Sequence, residues 1–98
     1  MALSKTAALK VANEAVGQIH RQSRTSYWLI APYYDDKPNG PGTELRADSY
    51  PKAQGMRTRA VCRVALALMD RPDNEYAIEN AFDRGHQDVK SIMSEVLK

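Results

Sequence analysis

The 98-residue sequence has little cysteine, few aromatic residues and no long apolar run. Its single cysteine, Cys62, excludes an internal disulfide, and a reducing, cytoplasmic setting is therefore expected. The longest apolar run covers residues 60–69 and is interrupted by Arg63, so no membrane-spanning helix is predicted. Polar residues also interrupt the N-terminal segment, and no signal peptide is predicted there.

The sequence also lacks a catalytic signature, a phosphate-binding glycine loop and the ligand spacing of a metal site. The two histidines, His20 and His86, together with Cys62 do not have the spacing of a zinc site, so both histidines are interpreted as structural. Cys62 lies among apolar residues with no base nearby, which favours a packing role over a nucleophilic one. Neither an enzyme nor a cofactor nor a bound metal is expected.

Length and charge place the chain among small globular domains. Residues 1–98 are enough for one domain, which buries about 60–65 % of the surface of its unfolded form. With 14 basic and 12 acidic side chains the net charge is +2. This balance does not by itself indicate a nucleic-acid partner.

The first predicted element is a helix from the N-cap residue Ser4 to about Arg21. Ala8, Ala12 and Val16 recur at helical spacing, and Ile19 continues the same apolar stripe.

Residues 26–50 contain five of the seven aromatic residues and three of the five prolines. Aromatic and β-branched residues predict a strand from Tyr27 to Tyr34, and alternation predicts a second from Thr43 to Asp48. Turn residues fill the stretch from Asp35 to Gly42 between them. The sequence therefore predicts an antiparallel β-hairpin as the organising element of the fold.

Two helices are predicted after the hairpin. Asp48 or Ser49 caps the first, which has Pro51 in its first turn and runs to about Met69. The second begins near Asp73 and continues through Gly85 to the C-terminus, because its apolar residues stay in phase across the glycine. The predicted fold is a small single-domain α+β protein, ordered α-β-β-α-α, with three helices packed on the hairpin.

The hairpin is also the predicted partner-binding site. Successive strand residues point to opposite faces, so at most one of Tyr33 and Tyr34 reaches the core. Rigid aromatic side chains beside adaptable polar ones are typical of protein-binding surfaces. The predicted partner-binding residues are Trp28, Tyr33, Tyr34, Asp35, Asp36 and Asn39. An equally weighted alternative makes Trp28 a core residue covered by the helices.

A second candidate site is the basic face of the helix after the hairpin, which carries Lys52, Arg57, Arg59 and Arg63. Phosphate binding is one interpretation of this face, and a solvated helix surface is the other. The hairpin itself, as a two-stranded ribbon in a groove, is another route to nucleic acid.

The function predicted from these features is non-catalytic protein binding, as an inhibitor or adaptor in the cytoplasm. In size and build the chain resembles the small accessory proteins that phages and other mobile elements encode, including those that block host defence, although no motif carries the resemblance. A homodimer is expected because a second copy would cover the exposed strand edges and one open face of the hairpin. A nucleic-acid-binding module is the alternative function.

Overall fold

The computed structural model describes residues 2–21, 28–30, 45–71 and 75–98. Within these ranges the chain forms four helices and three strands. The helices are α1 (Lys5–Ala15), α2 (Tyr50–Leu68), α3 (Glu75–Asp83) and α4 (Val89–Val96). The strands are β1 (Ile19–Arg21), β2 (Trp28–Ile30) and β3 (Leu45–Ala47). None of the helices in these ranges is long and apolar enough to cross a membrane.

The prediction of an α+β domain with three helices on a β-hairpin is wrong. The helices have 11, 19, 9 and 8 residues, whereas each strand has three, so the protein is mainly helical. The β2–β3 pair is not a separate two-stranded unit, since β2 also pairs antiparallel with β1. The organising element is α2, which contacts every other helix and strand among the described residues.

The predicted first helix is too long, and its last residues form a strand instead. Ser4 caps α1 as predicted, with its hydroxyl accepting a hydrogen bond from the Ala7 N–H at 3.3 Å. The helix ends at Ala15, because Val16 has an extended backbone and Gly17, a poor helix former, follows it. Ile19 is the first residue of β1 and pairs with Ile30 of β2.

The predicted start of the helix after the sheet is confirmed. The Ser49 hydroxyl accepts from the Lys52 N–H at 3.4 Å, and Pro51 lies in the first turn of α2. Because α2 is covered on several sides, its buried residues exceed one stripe: Ala53, Thr58, Ala60, Val61, Cys62, Val64, Ala65 and Leu66. Ala67, on the same helix, is exposed.

The single C-terminal helix predicted through Gly85 is also wrong, since α3 and α4 are separate. Gly85 has φ 97°, the left-handed region that glycine adopts most readily. The His86 N–H donates to the Ala81 carbonyl at 3.0 Å and the Gly85 N–H to the Phe82 carbonyl at 2.9 Å. This pair of hydrogen bonds is a Schellman motif, which ends α3. Asp88 then caps α4.

The apolar stripe predicted for this region nevertheless faces the core. Ile78, Ala81, Ile92 and Met93 are fully buried, and they belong to the same cluster as the buried residues of α1 and α2. The stripe stays in phase across the break because α3 and α4 both pack on α2.

Candidate functional site

A broad, open groove lies beside the first half of α2. Its walls come from three parts of the chain: residues 18–19 at the start of β1, residues 50–59 of α2, and residues 82–89 around the turn between α3 and α4. Its volume of about 1160 Å³ exceeds the roughly 300–1,000 Å³ of ordinary small-molecule pockets. The groove is therefore large enough for a segment of polypeptide.

Besides Pro51 at the start of α2, five apolar side chains from all three parts of the chain line the described part of this groove. They are Ile19, Tyr50, Met56, Phe82 and Val89, and they are called the groove floor below. Four of them are half-buried and pack against the hydrophobic core, while Tyr50 keeps 44 % of its surface exposed. The core thus fixes the floor from below and leaves apolar surface open above.

Arg57 anchors the wall of the groove between α2 and the end of α1. Its guanidinium donates to the Gly17 carbonyl at 2.9 Å, to the Asn13 carbonyl at 3.0 Å and to Asn13 Oδ1 at 3.2 Å. All three acceptors are neutral oxygens. Burial lowers the pKa of Arg57 from its usual value. Arg57 is therefore a cation held in one place with its charge unneutralised by these contacts.

Arg59, also in the groove wall, has a different set of neighbours. Its guanidinium forms a bidentate ion pair with Glu79 of α3, with Nη2 at 2.9 Å from Oε1 and Nε bonded to Oε2. Its Cζ atom lies 4.1 Å from the centre of the Phe82 ring. The hydrogen bond to Glu79 raises the pKa of Arg59, and the same bond lowers the pKa of Glu79. Arg59 therefore connects α2 to α3.

Gly55 leaves room for the Arg59 guanidinium one turn earlier on α2. A Cβ atom at position 55 would lie 2.9 Å from Arg59 Nη1, which is too close for an undisturbed contact. A side chain at this position would push the guanidinium toward a different position.

The two remaining cations of the predicted basic face also have partners within the chain. Lys52 pairs with Asp48 at 3.0 Å, and both side chains are largely exposed. Arg63 Nε lies 3.6 Å from Glu75 Oε2. The structure brings Lys52, Arg57 and Arg59 together along the groove, whereas Arg63 lies beyond its lining.

Asp88, next to the turn between α3 and α4, is the carboxylate among the described residues that line the groove. It accepts from the Ser91 N–H at 2.9 Å and from the Ser91 hydroxyl at 2.8 Å. These hydrogen bonds lower the pKa of Asp88 and cap α4. The contacts of this carboxylate are therefore structural ones at the start of a helix.

The predicted partner-binding residues are described only in part. Trp28 lies in β2, opposite Arg21 on one side and Ala47 on the other, and its side chain lies outside what the structure describes. The remaining residues of that set, Tyr33, Tyr34, Asp35, Asp36 and Asn39, lie outside the described residues. Their role stays a prediction.

The other reactive residue types are placed as follows. Cys62 is fully buried within the core, and burial raises the pKa of its thiol to about 12. His20 is exposed in β1, and His86 lies 4.0 Å from Glu95. No group of three His, Cys, Asp or Glu side chains with metal-site geometry occurs in the described ranges.

Sequence reasoning missed the groove floor. The sequence pattern placed Ile19 in the first helix and did not indicate that Tyr50, Met56, Phe82 and Val89 line one site. Ile19, Met56, Phe82 and Val89 are half-buried in the structure. The sequence pattern does not distinguish a half-buried apolar residue from a fully buried one. Comparison with protein-family models, curated proteins and solved structures finds no significant match.

Proposed function

We propose that this protein is a non-catalytic protein-binding domain, an inhibitor or adaptor, which holds its partner in the groove beside α2. The observation that carries the proposal is the groove floor, in which three separate parts of the chain present apolar surface in one open depression. Protein interfaces typically have an apolar centre that excludes water, with aromatic and methionine side chains enriched there. The groove floor contains two aromatic residues and one methionine.

The rim of the groove matches the same type of interface. Lys52, Gln54, Gln87 and Asp88 are exposed and line it. Polar side chains around an apolar centre supply hydrogen bonds that select the partner, while the centre supplies most of the affinity. We further propose a cytoplasmic setting, because the one cysteine is buried and unpaired.

Nucleic-acid binding remains the alternative function, and the ion pairs of α2 favour the first proposal over it. Binding to a phosphate backbone depends on several cations that each neutralise a phosphate. Lys52, Arg59 and Arg63 already have carboxylate partners within the chain. Each would have to exchange that carboxylate for a phosphate, which reduces the gain from every contact.

The test blocks the groove without disturbing the core. Gln54 is exposed in the groove wall, so Gln54→Trp fills the groove while leaving the buried residues unchanged. Ala67→Trp is the matched control, since Ala67 is exposed on the same helix but outside the groove lining. Both variants should melt within a few degrees of the wild type.

Each purified protein is immobilised and exposed to a lysate of the source organism, and the captured proteins are compared by quantitative mass spectrometry. We expect a protein that the wild type and Ala67→Trp retain and Gln54→Trp loses. Its binding should then be reproduced with the purified partner. Equal capture of every protein by both variants would contradict a role for the groove. Binding of duplex or single-stranded DNA, weakening steeply with salt, would favour the alternative.

A further inference from the structure

Arg57 has an anchoring geometry that leaves part of its guanidinium available. A guanidinium carries five N–H donors, and the contacts to Gly17 and Asn13 use three of them. Nε and both terminal nitrogens each make one of these bonds. Two N–H donors of the guanidinium, one on each terminal nitrogen, therefore remain for an acceptor on a partner.

Of the three cations that line the described part of the groove, Arg57 is the one without a carboxylate partner among the described residues. Lys52 pairs with Asp48 and Arg59 pairs with Glu79, whereas the contacts of Arg57 in the described residues are with neutral oxygens. The carboxylate of Asp88 is bonded to Ser91. Desolvation, without an offsetting carboxylate, is the cause that lowers the pKa of Arg57. An anionic group on a partner would supply the missing counter-charge.

The position of Arg57 on α2 sets its relation to the apolar part of the groove. Tyr50, Gln54 and Arg57 follow one another at i, i+4 and i+7, so they share one face of the helix. Met56, of the groove floor, is the neighbouring residue in the chain. A ligand that reaches the Arg57 guanidinium therefore also passes along apolar surface.

We propose that the groove binds an acidic segment of a partner protein, in which one Asp or Glu carboxylate pairs with Arg57 and a nearby apolar side chain packs on the groove floor. This inference rests on the proposed function of the groove. A peptide fits these features better than a nucleic acid, because the part of the groove that the structure describes offers one fixed cation without a carboxylate partner, beside apolar surface. A nucleic acid would require a row of such cations along its backbone.

The pair should contribute measurably to affinity because Arg57 is already held in position. A long side chain that is ordered before binding loses less conformational entropy when the complex forms. Hydrogen bonds between charged groups typically contribute about 1.5–3 kcal/mol, which corresponds to roughly a tenfold or larger change in Kd. Removal of the pair should weaken binding by about this factor.

The experiment starts from a displayed library of random 12-residue peptides, selected on the immobilised wild-type protein. One enriched peptide is labelled with a fluorophore, and its Kd is measured by fluorescence anisotropy. We expect the enriched peptides to carry Asp or Glu next to an aromatic or aliphatic residue. Gln54→Trp should abolish their binding, and Arg57→Met should weaken it about tenfold. Arg63→Met is the matched control and should stay within twofold, because Arg63 lies on the same helix but outside the groove lining.

A second arm tests the same pair without changing the protein. Each acidic residue of the peptide is replaced in turn by its amide, Asp by Asn or Glu by Gln. One of these replacements should weaken binding to the wild type about tenfold and leave binding to Arg57→Met unchanged, as a double-mutant cycle requires for a direct pair. This arm gives an answer even where Arg57→Met lowers the melting temperature.

The outcomes separate the inference from the function on which it rests. Peptides that Gln54→Trp excludes but that are neutral or basic, or that bind Arg57→Met normally, would overturn the acidic partner while leaving the groove as a protein-binding site. Selection that yields no peptide sensitive to Gln54→Trp would overturn both. Displacement of the peptide by a 20-base-pair duplex at low salt, lost in Arg57→Met, would assign the cation to nucleic acid instead.

Discussion

Arg59→Met should destabilise the protein because it removes two interactions between α2 and α3 while keeping a side chain of similar length. The first is the bidentate ion pair with Glu79, in which the Arg59 side chain is 33 % exposed and the Glu79 side chain is 40 % exposed. At this exposure solvent screens the pair, so we expect it to contribute about 0.5–1 kcal/mol to the free energy of unfolding. The second is the contact of the guanidinium with the Phe82 ring at 4.1 Å, which adds about 0.5–1 kcal/mol. The expected loss is therefore about 1–2 kcal/mol.

Urea unfolding followed by circular dichroism measures this loss, and Glu79→Gln separates the two contributions. Glu79→Gln should cost about half as much, because it weakens the ion pair and leaves the contact with Phe82. The double variant should be less destabilised than the sum of the two single variants. A loss below about 0.3 kcal/mol for Arg59→Met would show that the cluster does not connect the helices in solution.

The contribution of Glu79 should also depend on pH in a defined direction. Its folded-state pKa is lowered from the ordinary value of 4.5, mainly by the hydrogen bond from Arg59. A lowered folded pKa means that the stabilisation is fully present above about pH 5 and is lost as the pH falls through the folded value, below 4.5. The difference in stability between wild type and Arg59→Met should be constant from pH 5 to pH 8 and shrink under acidic conditions. A difference that grows on acidification would contradict the pairing.

Four further expectations concern other parts of the molecule. Ile92→Ala should lower the free energy of unfolding in urea by about 2–4 kcal/mol, because Ile92 is fully buried and its truncation leaves a cavity. A loss below about 0.5 kcal/mol would place α4 outside the core. Asp70→Gly should stabilise the protein by about 0.5–1 kcal/mol. Asp70 has φ 55°, which glycine adopts more readily, and its negative charge is unfavourable at the C-terminus of α2. An unchanged melting midpoint would contradict this. Tyr33→Ala or Tyr34→Ala, with Asp36→Ala as a companion variant, should abolish partner capture at nearly unchanged thermal stability, and normal capture by both tyrosine variants would contradict that sequence-based prediction. Light scattering of the purified protein tests the expected homodimer, which a clean mass of about 11.0 kDa at high concentration would exclude.

The sequence predicted those parts of the fold that depend on neighbouring residues. The start of α2 followed from Ser49 and Pro51, whose effects are confined to one helical turn. The division between α3 and α4 had equally local signals, a glycine at position 85 and the capping residue Asp88 three positions later. The apolar periodicity outweighed these signals in the prediction, and it stays in phase because both helices pack on α2.

The sheet was mispredicted because its strands depend on partners distant in the chain. Ile19 continues the apolar stripe of α1, and only its pairing with Ile30 makes it part of β1. Strands of three residues have little stability of their own, so their existence depends on α2 beneath them. The groove floor escaped prediction for the same reason, since it combines residues 19, 50, 56, 82 and 89 from elements that only the tertiary fold brings together.

The basic face of α2 shows why residue type alone does not identify a binding site. Arg57 and Arg59 are two positions apart, yet Arg57 is held by neutral oxygens of Asn13 in α1 and of Gly17, and Arg59 by a carboxylate of α3. Alanine at Arg59 would lower stability and binding together, and the loss of binding would say nothing about contact with a partner. At Arg57 the two effects are separable, because the amide replacement in the peptide removes the partner's charge and leaves the protein intact. A tenfold effect that disappears in Arg57→Met would therefore identify the recognition residue among four cations that the sequence made equivalent.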